Sequence, residues 1–163
     1  MVILRSFSKA YGLAGIRLGY MVSQETNIEY LSKTRSLVEA SGTSMAIANY
    51  MLENPELVES YVKQVVEGAS FLQDSLTAFG VRWHGGHVTN GIMVFLPDNP
   101  AVNQCVQYLR DHKIYVRGDF GPPYDCCFRV TIGPRETMEK FTSSFRDWYF
   151  DIFKPCGHES KLL

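Results

Sequence analysis

The longest uninterrupted pattern in the sequence is a helical stripe. Val58, Tyr61, Val62, Val65, Ala69, Leu72, Leu76 and Phe79 recur at three- and four-residue spacing between Asn54-Pro55 and Gly80. Asparagine accepts from the free amides at a helix start, proline is pre-set for the first turn, and glycine supplies the left-handed residue that ends a helix. At ~1.5 Å per residue such a helix runs on the order of 35 Å, enough to leave one lobe and enter another. The spacing therefore predicts two domains, residues 1-55 and 56-163, linked by this helix.

Shorter patterns fill in the rest. Val2-Ile3-Leu4 reads as a buried strand that needs neighbours, Arg17 to Val22 as a second strand, Asn27 to Leu37 and Ser44 to Leu52 as helices. After Gly80 the period changes: Val81-Arg82-Trp83, a turn at Gly85-Gly86, then a strand from Ile92 to Leu96. Asn99-Pro100 repeats the cap-and-proline start and opens a helix with Val102, Val106 and Leu109 inward. Ile114 to Arg117 and Cys127 to Ile132 read as strands. Gly133-Pro134 starts a last helix whose Met138, Phe141, Phe145, Trp148 and Ile152 form a packing stripe, and the tail from Lys154 reads as frayed. Strands interleaved with helices make the class α/β, with no internal repeat.

Composition narrows the partners. With 16 basic and 17 acidic side chains the formal charge is −1, which excludes nucleic-acid binding by counterion release. Hydrophobic residues at 45% suffice for a core, and no apolar run approaches the ~20 residues of a membrane span. The first residues lack the charge order of a signal peptide, and Cys105, Cys126, Cys127 and Cys156 have no framework spacing. A cytoplasmic protein with reduced thiols is expected.

The densest cluster of special residues runs from Ser6 to Gly19, Ser-Phe-Ser-Lys-Ala-Tyr-Gly-Leu-Ala-Gly-Ile-Arg-Leu-Gly. Hydroxyls, glycine-freed amides and an arginine fork are the groups that bind a phosphate. A lysine beside them in an apolar setting favours the neutral amine that forms imines. Phosphate binder and imine-forming lysine together suggest pyridoxal phosphate. In the strand around Arg129, alternation puts Phe128, Val130 and Ile132 on one face and Arg129 with Thr131 on the other, so the arginine can face a cleft.

The Ser6–Gly19 stretch resembles the lysine signature of fold-type I pyridoxal-phosphate aminotransferases. Asn90-Gly91-Ile92-Met93-Val94-Phe95, Ile114-Tyr115-Val116-Arg117 and Phe128-Arg129-Val130-Thr131-Ile132-Gly133 are similar, in order and spacing, to the C-terminal half of the histidinol-phosphate aminotransferase branch. The resemblance implies the C-terminal part of the large cofactor-binding domain plus the small α/β C-terminal domain. It implies pyridoxal 5'-phosphate as cofactor and amino-group transfer between an amino acid and a 2-oxo acid, as in amino-acid biosynthesis. Lys9 matches the catalytic lysine, which carries the cofactor and moves a proton between it and the substrate α-carbon. Ser6, Ser8 and Arg17 match the cofactor-phosphate contacts, Arg129 the arginine that clamps the substrate carboxylate, and Arg117 a second active-site arginine. The chain resembles a C-terminal fragment, whose missing half would carry the aspartate of the pyridinium nitrogen and the ring-stacking aromatic. The unpartnered first strand then predicts self-association to a dimer or larger assembly.

Other readings give different expectations. A threonine-phosphate decarboxylase shares the scaffold, and a non-catalytic remnant would serve as an oligomerisation module. Ser6-Phe7-Ser8-Lys9 also fits the Ser-x-x-Lys of serine β-lactamases, but no Ser-Asp-Asn or Lys-Thr-Gly accompanies it. His84 and His87 flank two glycines with no nearby acidic or thiolate ligand, so no metal is expected; Cys156 and His158 read as inert.

Overall fold

The computed structural model describes residues 1–36 and 39–153. Leu37, part of the second expected stripe, and the tail from Lys154 with Cys156 and His158 lie outside the described residues. The chain divides into two compact units, Met1–Lys63 and Gln64–Leu163.

In the first unit, β1 (Ile3–Ser6) and β2 (Gly19–Val22) form an antiparallel pair in which Ile3 opposes Val22 and Ser6 opposes Gly19. Both strands are exposed along their length, with Leu4 73% accessible, so the expected burial of Val2-Ile3-Leu4 is not met. Among the described strands β1 has only β2 as a neighbour. β2 also starts two residues later than expected, because Arg17 is left-handed and ends a single 3-10 turn, Ala14–Ile16. Two helices follow, α1 (Glu25–Ser32) and α2 (Gly42–Glu53). Ser41 caps α2 by accepting from the Ser44 amide at 3.0 Å.

The long helix α3 (Pro55–Ala78) forms as the spacing requires, and Gly80 follows it at φ +70°. Asn54 acts differently from expectation. Its side-chain amide donates back to the Tyr50 carbonyl at 2.7 Å, closing α2, while its own carbonyl accepts from Leu57. Along α3 the apolar stripe is buried only from Gly68 onward, at Ala69, Leu72 and Leu76; Tyr61 and Val62 are exposed.

The second unit is a three-stranded antiparallel sheet in the order β3 (Trp83–Gly85), β4 (Gly91–Phe95), β5 (Cys127–Thr131). Ile92 and Val94 of β4, with Phe128 and Val130 of β5, share one buried face. They pack in one core with Leu72 and Leu76 of α3, Val102, Cys105 and Leu109 of α4 (Asn99–Asp111), and Met138, Phe141 and Phe145 of α5 (Arg135–Asp147). The cap of α4 is Asp98, one residue before the expected Asn99, with its carboxylate accepting from Ala101 at 2.9 Å; Asn99 instead donates to the Asp125 carbonyl.

The expected strand from Ile114 to Arg117 does not form. Lys113 turns left-handed at φ 63°, and the Ile114 amide is used to close α4 on Leu109 at 2.8 Å. Only Arg117 reaches the sheet, as a single bridge to Arg129. The last helix passes into a π turn, Trp148–Phe153, and that change of pitch carries Ile152 off the core stripe to the surface. The described cysteines Cys105, Cys126 and Cys127 are free thiols, and burial pushes the Cys105 thiol up, so it packs as a small apolar side chain. No described helix is long and apolar enough to cross a membrane.

Candidate functional site

The hairpin loop between β1 and β2 holds the lysine. Its neck closes where the Phe7 amide donates to the Leu18 carbonyl at 3.2 Å, extending the ladder by one pair beyond Ser6 and Gly19. Phe7 is the anchor: it is 3% exposed, and its ring lies 4.7 Å from that of Tyr11 and 5.8 Å from that of Tyr20. The Leu13 amide folds back onto the Phe7 carbonyl at 3.0 Å. Within that fold the Gly12 amide donates to the Lys9 carbonyl at 2.8 Å, and Gly12 takes φ +68°, which closes the turn without a side-chain clash. The Ser44 hydroxyl of α2 braces the far limb by donating to the Ile16 carbonyl at 2.9 Å.

This scaffold fixes the backbone of every candidate in the loop. The Ser8 amide donates to Ser6 Oγ at 3.0 Å, so the two hydroxyl-bearing residues share one turn. Lys9 follows with its side chain exposed, which differs from the apolar setting that the sequence suggests. Arg17 stands at the opposite limb of the neck, with φ 53° and ψ 44°. The left-handed region costs a non-glycine residue roughly 1–2 kcal/mol, and such positions gather where a chain binds something. The Arg17 guanidinium spends one Nη1 donor on the Ala14 carbonyl at 2.9 Å. Two hydroxyls, an ammonium and a guanidinium with donors to spare, at the two limbs of one braced loop, fit a phosphomonoester.

The other two candidates lie in the second unit. Register places His84 opposite Met93, Met93 opposite Arg129, and Arg129 opposite Arg117, and paired residues of antiparallel strands point to the same side. The row thus runs along the face opposite the buried Ile92, Val94, Phe128 and Val130, as the alternation requires. Arg129 and Arg117 exchange both backbone hydrogen bonds, which makes them direct cross-strand neighbours. Two cationic side chains thus leave neighbouring backbone positions on one face of the sheet. Arg117 reaches Asp119 at 3.3 Å in a surface pair that is exposed on both sides and so worth little. No carboxylate pairs with Arg129 among the described residues; its Nη2 donates to the neutral Asn90 Oδ1 at 3.2 Å.

Lys9, Ser6, Ser8 and Arg17 therefore share one loop of the first unit, and Arg129 and Arg117 share one sheet face of the second. Sequence reasoning assigned no part to Phe7, Ser44 or Asn90. A lone aromatic between two serines signals the first, whereas the others act through contacts distant in sequence. Among the described residues no group of His, Cys, Asp and Glu could hold a metal ion.

The family profile of aminotransferase class I and II matches residues 1–145, from the first strand to two residues before the end of α5. The chain belongs to the class I and II aminotransferases. It is 27% identical over 149 residues to histidinol-phosphate aminotransferase 2 of Legionella pneumophila, covering 91% of this chain and 40% of that one. A histidinol-phosphate aminotransferase from Sinorhizobium meliloti, solved in complex with pyridoxal-5'-phosphate, superposes with a TM-score of 0.78 at 24% identity over 90% of this chain and 41% of that one. The L-threonine-O-3-phosphate decarboxylase of Porphyromonas gingivalis superposes with a TM-score of 0.70 at 18% identity, over 91% and 46%. The fold of this aminotransferase chain is thus that of part of these enzymes, and it spans about 40% of the length of the curated relative.

Proposed function

We propose that this chain supplies the cofactor lysine and the substrate-clamping arginine of a pyridoxal-phosphate-dependent aminotransferase of the histidinol-phosphate type, acting between an amino acid and a 2-oxo acid. The observation that carries the reading is the braced loop, which sets Lys9 between phosphate-fitting groups. The first unit is then part of the large cofactor-binding domain, and the second the small C-terminal domain.

When bound, pyridoxal phosphate supplies an electron-poor ring that takes up the charge left on the substrate α-carbon as its proton leaves. Ser6, Ser8 and Arg17 hold the phosphate and so orient the ring. Lys9 Nζ would hold the cofactor aldehyde and, once released from it, would serve as the base that takes up the substrate α-proton. Arg129 grips the carboxylate of the amino-acid or oxo-acid partner through its fork. Arg117, its neighbour on the same face, adds a second positive charge, which suits a substrate with a further anionic group. The names of the Legionella aminotransferase and the Porphyromonas decarboxylase each specify a phosphate ester, which supports that class. The decarboxylase reading would break the bond to the α-carboxylate in place of the α-proton; its superposition is the weaker of the two.

Arg129→Lys replaces a bidentate fork with a point charge, and a carboxylate substrate then binds about tenfold more weakly. Cofactor affinity, read by the same calorimetric titration, stays unchanged. Equal losses for both ligands would assign Arg129 to structure alone.

The same reading places the protein in the cytoplasm as a homo-oligomer. Free thiols support the compartment, and the exposed apolar residues Val2, Leu4, Met21 and Val22 of the first hairpin support the association. Light scattering is expected to give a dimer or larger species. A strict monomer whose residues 1 to 55 resist hydrogen exchange would contradict it.

A further inference from the structure

Arg129 is held by a neutral partner, Asn90. Arg129 sits one diagonal step from Gly91 on the same sheet face, since Gly91 opposes Thr131 and Met93 opposes Arg129. Its guanidinium lies directly over the Gly91 backbone: a Cβ built at position 91 would overlap Nε, Cζ and Nη2 of Arg129. Asn90, the preceding residue, accepts from Nη2 at 3.2 Å through Oδ1. Asn90 is itself fixed, because its carbonyl accepts from the Ile132 amide at 2.9 Å at the end of the β4–β5 ladder. One residue thus provides the room and its neighbour the tether.

Two chemical facts make this arrangement selective. A carboxamide oxygen uses one guanidinium donor and leaves the positive charge uncompensated, whereas a carboxylate in the same place would form an internal ion pair. With no carboxylate beside it among the described residues, the half-buried Arg129 keeps its charge available to an outside anion. The strand could carry any β-former at position 91, and glycine weakens a strand interior, so the packing of the guanidinium gives its presence a reason.

We propose that Asn90 and Gly91 are positioning residues for Arg129: Gly91 lets the guanidinium lie flat on β4, and Asn90 holds it there by a neutral acceptor that preserves its charge for an anionic group of the substrate. The inference rests on the reading of Arg129 as an anion-binding arginine and specifies what keeps it competent. Neither residue touches the substrate; both act through the arginine.

The test uses the full chain, isotopically labelled, with sulfate as the probe and two NMR readouts: the Arg129 side-chain Nε–Hε signal and the backbone amides of β5. In the unchanged chain the Arg129 signal is expected to be sharp and to shift saturably with sulfate. Asn90→Asp, which is nearly isosteric, keeps the guanidinium fixed and its signal sharp but weakens sulfate binding at Arg129 by about tenfold or more, since a charged partner now competes. Gly91→Ala displaces the guanidinium, so its signal moves before any sulfate is added and the affinity falls likewise. A purely structural role would couple loss of affinity to loss of order; the Asn90→Asp variant separates them. Both variants binding sulfate at Arg129 as tightly as the parent would overturn the positioning role and leave the anion-binding reading standing. An Arg129 signal in the parent that ignores sulfate would overturn both.

Discussion

Lys9→Ala is expected to abolish specific capture of pyridoxal phosphate. Borohydride reduction of the parent chain in the presence of the cofactor should place the label at Lys9, and in the variant the peptide spanning the loop should carry none. The reason is local. Lys9 is the only lysine on a loop that also presents Ser6, Ser8 and Arg17, and the loop is fixed by the buried Phe7, by the Gly12 turn and by the Ser44 brace. Two of the other described lysines are engaged elsewhere: Lys140 pairs with Glu136 on the surface of α5, and Lys33 lies over the Tyr30 ring. An imine at an isolated surface amine forms weakly and reverses, whereas a phosphate gripped nearby raises the effective concentration of the aldehyde at one amine. Label spread evenly over the lysines in both chains would mean that the loop organises nothing.

Phe145→Ala should cause a large loss of stability in the second unit, about 3–5 kcal/mol. Phe145 is fully buried, and its ring is surrounded by those of Phe141 at 5.7 Å, Tyr149 at 5.6 Å, Trp148 at 5.9 Å and Phe128 at 6.1 Å. Phe128 belongs to β5, next to Arg129, so this cluster is what seats α5 against the strand that carries the arginine. Truncation removes the transfer free energy of a large ring and leaves a cavity that rigid aromatic neighbours cannot collapse into. Denaturant unfolding should show the midpoint falling well below that of the parent. Ile152→Ala, whose side chain lies at the surface, should change it by no more than about 0.5 kcal/mol. Comparable losses at the two positions would contradict the assignment of the core.

What could be read from the residues alone follows a physical division. Local rules sufficed where one residue type has one use: Pro55 and Gly80 bound α3, and alternation along β5 sent Arg129 and Phe128 to opposite faces. The Ser6–Gly19 cluster was equally legible, because hydroxyls, glycines, lysine and arginine together have few structural uses. Local rules failed where a backbone group had two possible partners. Ile114 has the composition of a strand residue, but its amide closes α4, a choice made by the left-handed Lys113 that no propensity predicts. Asn54 and Asn99 both stand before proline, yet neither side chain caps the first turn that follows it: Asn54 donates back to the Tyr50 carbonyl of α2, and Asn99 donates to the Asp125 carbonyl. Burial was misjudged for Val2-Ile3-Leu4, since apolar character states a preference and the neighbours decide whether it is met. The tether of Arg129 was invisible for a similar reason: residues 90 and 129 meet only through the register of β4 and β5.

On the proposed function, the loop from Ser6 to Arg17 is a built cofactor site. The most direct measurement is a titration of the unmodified chain with pyridoxal phosphate, followed by visible absorption and repeated with Ser6→Ala/Arg17→Ala. A new visible band that saturates at one cofactor per chain, and that is lost or weakened about tenfold or more in the double variant, is the predicted result. A band that grows without saturation and is the same in both chains would contradict the account.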